Sequence, residues 1–394
     1  MSRLLDELSN RGFVKQMVGM HELQSLMEQS PITLYSGFDP TASSLHVGHL
    51  LPLMLLAHFQ RAGHHPIVVL GGGTGKVGDP TGRTEMRKLL DAPSLQHNLT
   101  SIQQQIHRIL GSVQVYDNSE WLDNLSLLDF LRETGVHFSV NHMLKAETYK
   151  QRLETGLSFI EFNYQLLQAY DFLMLHQQHA CLLQIGGDDQ WSNMLAGVDL
   201  IRRVTKKGAY AITCPLLTNS TGQKMGKSGT GTIWLDANLC SPFELYQYWY
   251  GCSDTDVVRF LKLYTFLPLT EIAKWESVTG ASLREAKAIL AYEVTKFVHG
   301  DTIALDVHNA VTSGSLDVGI PTIVAVELNI VTALLSAGMA STSSEARRLI
   351  TGGAVKVKGI KITDPKTILE VQDDMLIRVG RSGFIRVTSQ GGNV

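Results

Sequence analysis

Two short runs of β type, Ile32-Thr33-Leu34-Tyr35-Ser36 and Pro66-Ile67-Val68-Val69-Leu70, enclose one helical run, and this limits the fold more than any other feature. The helical run starts near Leu45, where Leu50, Leu53, Met54 and Ala57 recur at helix spacing. Between the first strand and the helix, Phe38-Asp39-Pro40-Thr41-Ala42-Ser43-Ser44 is turn material. Strand, helix, strand over so short a stretch is a βαβ unit. Such units build a parallel sheet that takes its ligands at the carboxyl ends of the strands. A further buried-type strand, Ala180-Cys181-Leu182-Leu183-Gln184-Ile185, runs into Gly186-Gly187.

The chain has 394 residues, which predicts more than one domain. No apolar run approaches the roughly 20 residues of a membrane helix, and the first residues carry neither a signal-peptide core nor a transit-peptide composition. The cysteines Cys181, Cys214, Cys240 and Cys252 are scattered, which speaks against a zinc site and a disulfide scaffold and predicts a cytoplasmic protein. The net charge is −3, but the last 55 residues carry nine basic and five acidic side chains, so a net +4 module follows a −7 remainder. The pattern is helical from about Ser241 to His299, Gly314 to Pro321 reads as a linker, and Leu328 to Ala337 reads as a helix. Thr342-Ser343-Ser344-Glu345 then opens another helix as a capping box, and Ala354 to Ile362 reads as strand–turn–strand. The expectation is an α/β chain in three parts: a Rossmann-like parallel-sheet domain over 1–235, a helical domain over 236–318 and a small α+β domain over 327–394.

Three groups of residues carry chemistry. His46-Val47-Gly48-His49 places two imidazoles at i and i+3 where a helix begins, which suits a polyphosphate. Two surface histidines would read the same way in isolation. A metal site joining them to His64 and His65 lacks a carboxylate or cysteine at a natural spacing. Lys224-Met225-Gly226-Lys227-Ser228 offers two ammonium groups in a polar, glycine-bearing loop, suited to phosphate charge that moves during reaction. Tyr164, Gln168 and Asp171 fall at i, i+4 and i+7, one polar stripe of a helix among Phe162, Leu166, Leu167 and Phe172. Gly73-Thr74-Gly75-Lys76-Val77-Gly78 fits a dinucleotide fingerprint formally, but Asp79-Pro80 follows it rather than a helix, so that reading fails. These glycines are expected to let a substrate lie close to the chain.

The histidine and lysine segments, in this order, resemble the two signatures of class I aminoacyl-tRNA synthetases. Leu34 to Thr41, Gly78-Asp79-Pro80, Glu161-Phe162-Asn163-Tyr164, Leu167 to Asp171 and Gln184 to Trp191 narrow the resemblance to the bacterial-type tyrosyl-tRNA synthetases, over nearly the whole chain. The resemblance implies that Tyr35 and Asp171 bond the phenol hydroxyl of L-tyrosine, and that Asp79, Tyr164 and Gln168 hold its ammonium group. It implies contacts to ATP or the adenylate from Gly37, Asp39, Thr41, His46, Gly48, His49, Gly187, Asp189 and Gln190. Thr41 and His46 are expected near the γ-phosphate, Asp189 at the ribose and Gly48 where adenine approaches the backbone. Arg83, Arg87, Lys224, Lys227 and Ser228 are expected to face phosphates. Magnesium would arrive with ATP, with no protein-held metal. The basic tail resembles the S4 type of RNA-binding domain, with Arg347, Arg348, Lys356 and Lys358 toward tRNA(Tyr). A homodimer is implied, with the segments around Phe138 and Phe159 as candidate contacts, and neither membrane nor DNA is an expected partner.

The chain departs from the family pattern at a few places. Ser36 stands where many relatives have cysteine, Gly226 replaces the serine of the general lysine motif, and Asp188 stands where serine is common. The chain ends Ser389-Gln390-Gly391-Gly392-Asn393-Val394, less basic than many relatives. The rival readings are a tryptophan enzyme, a non-catalytic RNA-binding relative and a free nucleotidyltransferase sharing the histidine motif. Tyr35 with Asp171 disfavours the first, since an indole N–H needs no such donor–acceptor pair. The intact histidine and lysine pairs disfavour the second. The extra helical and basic modules disfavour the third.

Overall fold

The structure is a computed structural model and describes residues 4–81, 90–220, 222, 225–228, 231–313, 322–340, 342–357, 360–371, 375–380 and 383–389. Arg83, Arg87, Lys224, Lys358 and the expected linker at 314–321 lie outside the described residues, and Lys227 and Ser228 are described as backbone. Internal contacts divide the chain into two units, Met1–Gly226 with Ser253–Thr279, and Lys227–Cys252 with Gly280–Val394.

The first unit is built on a six-stranded sheet of β1 (Gln16–Val18), β2 (Thr33–Phe38), β3 (His65–Leu70), β4 (Gln114–Asp117), β5 (Cys181–Gly187) and β6 (Tyr210–Cys214). The spatial order is β1-β6-β5-β2-β3-β4, parallel throughout except that β1 runs antiparallel along β6 at the edge. From β2 the chain moves outward to β3 and β4, and then returns to place β5 and β6 on the other side. β2 and β5 therefore flank a topological switch point, where a crevice opens at the carboxyl ends of the strands. The central strands are continuous apolar runs because both faces are covered: Leu34, Ile67, Val68 and Leu183 are fully buried. The crossover helix Leu50–Arg61 buries nine of its twelve residues, far more than a one-sided amphipathic helix would.

Segment Ser253–Thr279 was expected in the helical module but clusters with the first unit. Its helix Val257–Tyr264 buries Val257, Phe260, Leu261, Leu263 and Tyr264. The buried Arg11 guanidinium, at the end of the N-terminal helix Leu4–Arg11, donates to the carbonyls of Lys262, Thr265 and Leu267 at 3.3, 3.2 and 2.7 Å. A cation among orphan C-terminal carbonyls closes that helix end.

In the second unit, Ser241 and Glu244 form a reciprocal capping box at the start of helix Pro242–Tyr250. That helix packs with Leu283–His299 and Asp301–Ser313. The C-terminal part carries a five-stranded sheet in the order Ile360–Ile362, Val355–Val357, Met375–Val379, Gly383–Thr388 and Thr322–Val324. Helices Ile330–Ser336 and Ser343–Thr351 cover a core that includes Leu334, Ile350, Ile377 and Ile385. The expected helix from Leu328 starts later, because Glu327–Asn329 pairs as a strand with Ile368–Glu370. The Asn329 side chain then caps the helix by accepting the Val331 N–H at 2.9 Å. Thr342 caps the next helix, accepting the Glu345 N–H at 3.2 Å. Among the described residues no helix is long and apolar enough to cross a membrane.

Candidate active site

A cavity of about 350 Å³ opens at the switch point of the first unit. Tyr35, Ser36, Gly37 and Phe38 line it from the end of β2, and Gln184 to Gly187 line it from the end of β5. Asp39, Thr41, His46, Gly48 and His49 come from the turn and helix start after β2, and Asp79, Tyr164, Gln168, Asp171, Asp189 and Gln190 also line it. Fourteen expected side chains and glycines thus reach one cavity.

At the buried end, Asp171 receives two donors: Trp121 Nε1 at 2.7 Å and Asn118 Nδ2 at 2.9 Å. Burial is the main force on this carboxyl and pushes its pKa up to about 7, helped by Asp39 and Asp117, while the two donors pull it down. The Tyr35 hydroxyl is fully buried and finds no partner among the described residues, and burial holds its pKa well above the phenol value. Gln184 Oε1 is likewise unpartnered there. Unpaired polar atoms facing a cavity are groups awaiting a ligand.

A continuous network leads away from Asp171. Asn118 Nδ2 also donates to Thr74 Oγ1 at 3.0 Å, Thr74 Oγ1 donates to Asp39 Oδ1 at 2.9 Å, and the Tyr164 hydroxyl donates to Asp39 Oδ2 at 2.9 Å. Beside it, Gln190 Nε2 donates to Asp79 Oδ2 at 2.7 Å, and Asn193 Nδ2 reaches Gln168 Oε1 and Gln190 Oε1, both at 3.1 Å. Gln190, expected at the nucleotide, therefore also braces the carboxylate assigned to the ammonium group. Helix Tyr164–His179 carries Tyr164, Gln168 and Asp171 on one stripe as expected. Its approach is fixed by a buried ion pair, with Arg152 donating to both oxygens of Glu161 at 2.7 and 2.9 Å. Glu161 and Ser158 form a capping box, and the Tyr149 hydroxyl donates to the Phe162 carbonyl at 3.0 Å.

At the half-buried end, the imidazoles of His46 and His49 lie 4.0 Å apart, centroid to centroid. His46 Nδ1 accepts the Gly48 N–H at 3.0 Å and His49 Nδ1 accepts the His46 N–H at 3.1 Å. With Nδ1 accepting in both, a neutral ring carries its proton on Nε2. Burial lowers the His46 pKa and so favours the neutral ring. Gly48 has a structural reason as well: a Cβ there would stand 2.7 Å from the His46 ring and break the cap. Val47 is fully buried, and a Cβ at Gly226 of the lysine segment would lie 3.6 Å from its Cγ2. Gly226 has φ +115°, a backbone state that explains glycine in place of serine.

The glycines that directly follow β3 also make room for neighbouring side chains. A Cβ at Gly71 would stand 2.1 Å from Asp39 Oδ1, and one at Gly72 would stand 2.1 Å from Asp117 Oδ1. Gly73 N–H donates to Asn118 Oδ1 at 2.7 Å. Asp188 gains a role: its Oδ1 accepts from Gln16 Nε2 at 2.7 Å and Thr213 Oγ1 at 2.9 Å, fastening β1 and β6 to the end of β5. Asn118, Trp121, Thr74 and Asn193 were missed by sequence reading. Their only signal was a polar or indole side chain just after a strand or beside the known stripe. In the C-terminal sheet region, Arg347, Arg348 and Lys356 are exposed. Among the described residues no group of three or more His, Cys, Asp or Glu could hold a metal ion.

The family described as class I tRNA synthetases (W and Y) matches residues 27–313, and the S4 domain family matches residues 329–375. A tyrosine–tRNA ligase of Clostridium botulinum (strain Eklund 17B) is 47% identical over 406 positions, covering 99% of this chain and 100% of that one. A tyrosine–tRNA ligase of Clostridium tetani is 46% identical, covering 98% and 99%. Among solved structures, a C-terminally truncated mitochondrial tyrosyl-tRNA synthetase of Aspergillus nidulans superposes with TM-score 0.71 at 33% identity, covering 79% of this chain and 94% of its own. A parallel sheet with its cavity at the switch point, two signature segments meeting there, and a C-terminal S4 domain leave one assignment: the chain belongs to the class I tRNA synthetases of the tryptophan and tyrosine group.

Proposed function

We propose that the chain ligates L-tyrosine to tRNA(Tyr) at the expense of ATP. One observation carries the reading. The unpartnered Tyr35 hydroxyl and the doubly bonded Asp171 carboxylate line the same cavity as the histidine pair. Asp171 accepts the substrate's phenolic proton, and the Tyr35 hydroxyl donates to the phenol oxygen. Asp79, Tyr164 and Gln168 take the ammonium group. Phenylalanine would leave these buried groups unbonded, and tyrosyl-tRNA synthetases are themselves the standard case of such discrimination, about 10⁵ without editing.

In the first step a carboxylate oxygen of tyrosine attacks the α-phosphorus of ATP. The bond to the β-phosphate oxygen breaks, and pyrophosphate leaves from tyrosyl-adenylate. In the second step a ribose hydroxyl of the terminal adenosine of tRNA attacks the tyrosyl carbonyl, and AMP leaves. The first step needs neither a nucleophilic side chain nor a general base; positioning and charge stabilisation suffice. Thr41, His46 and His49 donate to phosphate oxygens, Gly37, Asp39, Gly48, Gly187, Asp189 and Gln190 hold the nucleotide, and Lys224, Lys227, Ser228, Arg83 and Arg87 follow the pyrophosphate. Magnesium enters with the phosphates of ATP.

Arg347, Arg348, Lys356 and Lys358 contact the tRNA backbone. The protein works as a homodimer. Phe159, at 80% exposed, together with exposed Leu127, Leu128 and Val136, offers the apolar surface, while Phe138 packs inward beside the same segment. Four free cysteines, all buried, suit a reducing cytoplasm.

ATP–pyrophosphate exchange without tRNA, run with tyrosine, phenylalanine and tryptophan in turn, tests the reading. Exchange with tyrosine alone is expected. Exchange with tryptophan would overturn the pocket assignment, and none with any of the three would overturn the reaction.

A further inference from the structure

Asp256 is the N-cap residue of helix Val257–Tyr264, yet its side chain makes no capping bond to that helix. An aspartate at this position ordinarily accepts an N–H from its own first turn. Here the carboxylate, 2% exposed, reaches back along the chain instead. Its Oδ2 accepts the Ser220 N–H at 3.2 Å, and its Oδ1 accepts from Arg259 at 3.2 Å. Arg259 in turn donates to the Thr218 carbonyl. Thr255 adds a hydroxyl contact to Ser220 Oγ at 3.0 Å and is itself held by Ser253 at 2.9 Å. One helix start thus grips both Thr218 and Ser220, the residues that lead into the lysine segment.

Within that segment, the Met225 N–H donates to the Leu217 carbonyl at 2.9 Å, and a Cβ at Gly226 would lie 3.6 Å from Val47 Cγ2 of the histidine segment. Leu216, Leu217 and Met225 are part of the cavity wall. The gripping helix packs against the crossover helix Leu50–Arg61, which follows the histidine segment.

We propose that Asp256, Arg259 and Thr255 are positioning residues for amino-acid activation: they hold Thr218 and Ser220, from which the chain leads into the lysine segment, and they act on the ATP half of the reaction alone. The inference rests on the assignment of the lysine segment to phosphates. A buried carboxylate facing an amide and a guanidinium ties these elements more firmly than neutral contacts would.

The test uses the full-length protein with Asp256→Asn, Asp256→Ala, Arg259→Gln and Lys227→Ala. Tyrosine affinity is measured by equilibrium fluorescence, and adenylate formation and its pyrophosphate-driven reversal in single turnovers. Asp256→Asn keeps one acceptor oxygen, so it should be milder than Asp256→Ala. For Asp256→Ala and Arg259→Gln we expect adenylate formation and reversal to slow by about tenfold or more, with tyrosine affinity unchanged. Arg259→Gln keeps the question answerable should Asp256→Ala fail to fold. Normal activation rates in Asp256→Asn and Arg259→Gln would overturn the proposal, as would a parallel loss of tyrosine affinity. Full activity in Lys227→Ala would instead overturn the reading of the lysine segment.

Discussion

At the Tyr35 end of the cavity, side chains hold side chains: Trp121 and Asn118 bond Asp171, Thr74 and Tyr164 bond Asp39, and Gln190 bonds Asp79. At the His46 end, the ring nitrogens are held by backbone amides two and three residues away. The first end is shaped before substrate arrives and suits discrimination of a ground state. The second presents donors on a short local frame and suits charge that appears only in the transition state.

The largest effect should come from the phosphate chemistry proposed for the second end. Lys227→Ala is expected to slow adenylate formation by about 10³ with tyrosine affinity unchanged; a matching loss of affinity in a binding titration would erase the contrast. Asp171→Asn should lower kcat/KM for tyrosine by about 10² and compress the preference over phenylalanine, read by pyrophosphate exchange with both amino acids.

The raised Asp171 pKa gives a pH dependence. The carboxylate must be ionised to accept the phenolic proton, so tyrosine affinity should weaken by up to about tenfold per pH unit below about 7. Asp171→Asn should flatten that profile, and an unchanged slope would assign the titration elsewhere. The same shift bears on stability with the opposite sign. Between about pH 4 and 7 the folded chain binds a proton that the unfolded chain has released, so this group's contribution is lost as pH rises across that window. Trp121→Phe, which removes one donor, should cost about tenfold in tyrosine affinity and leave the KM for ATP alone. Arg348→Gln is the smallest: a few-fold weaker tRNA binding, with the salt slope reduced by about one and activation untouched.

The same contrast explains what the sequence could reveal. The histidine segment is legible because its geometry is local, four residues holding one another. Tyr164, Gln168 and Asp171 are legible because helix periodicity aligns them. The β2–helix–β3 unit is legible from its apolar runs. Asn118 and Trp121 are not, because only the sheet order, with β4 beside β3, carries them to Asp171, and no spacing in the chain records that. The role of Asp188 was hidden for the same reason: its partners Gln16 and Thr213 lie on strands far from it in sequence. Nothing in the sequence around Gly71 and Gly72 shows why they are glycine; in the structure their missing side chains admit Asp39 and Asp117. The start of Ser253–Thr279 looked like any helix, because neither Arg11 nor Ser220 is near it in the chain.

The unbroken chain of bonds from Tyr164 through Asp39, Thr74 and Asn118 to Asp171 joins the groups assigned to the two ends of the amino acid. It therefore serves as a gauge of length. An amino acid one methylene shorter or longer could satisfy one jaw and would leave the other open, and neither jaw can shift to meet it without breaking the bonds that set the other.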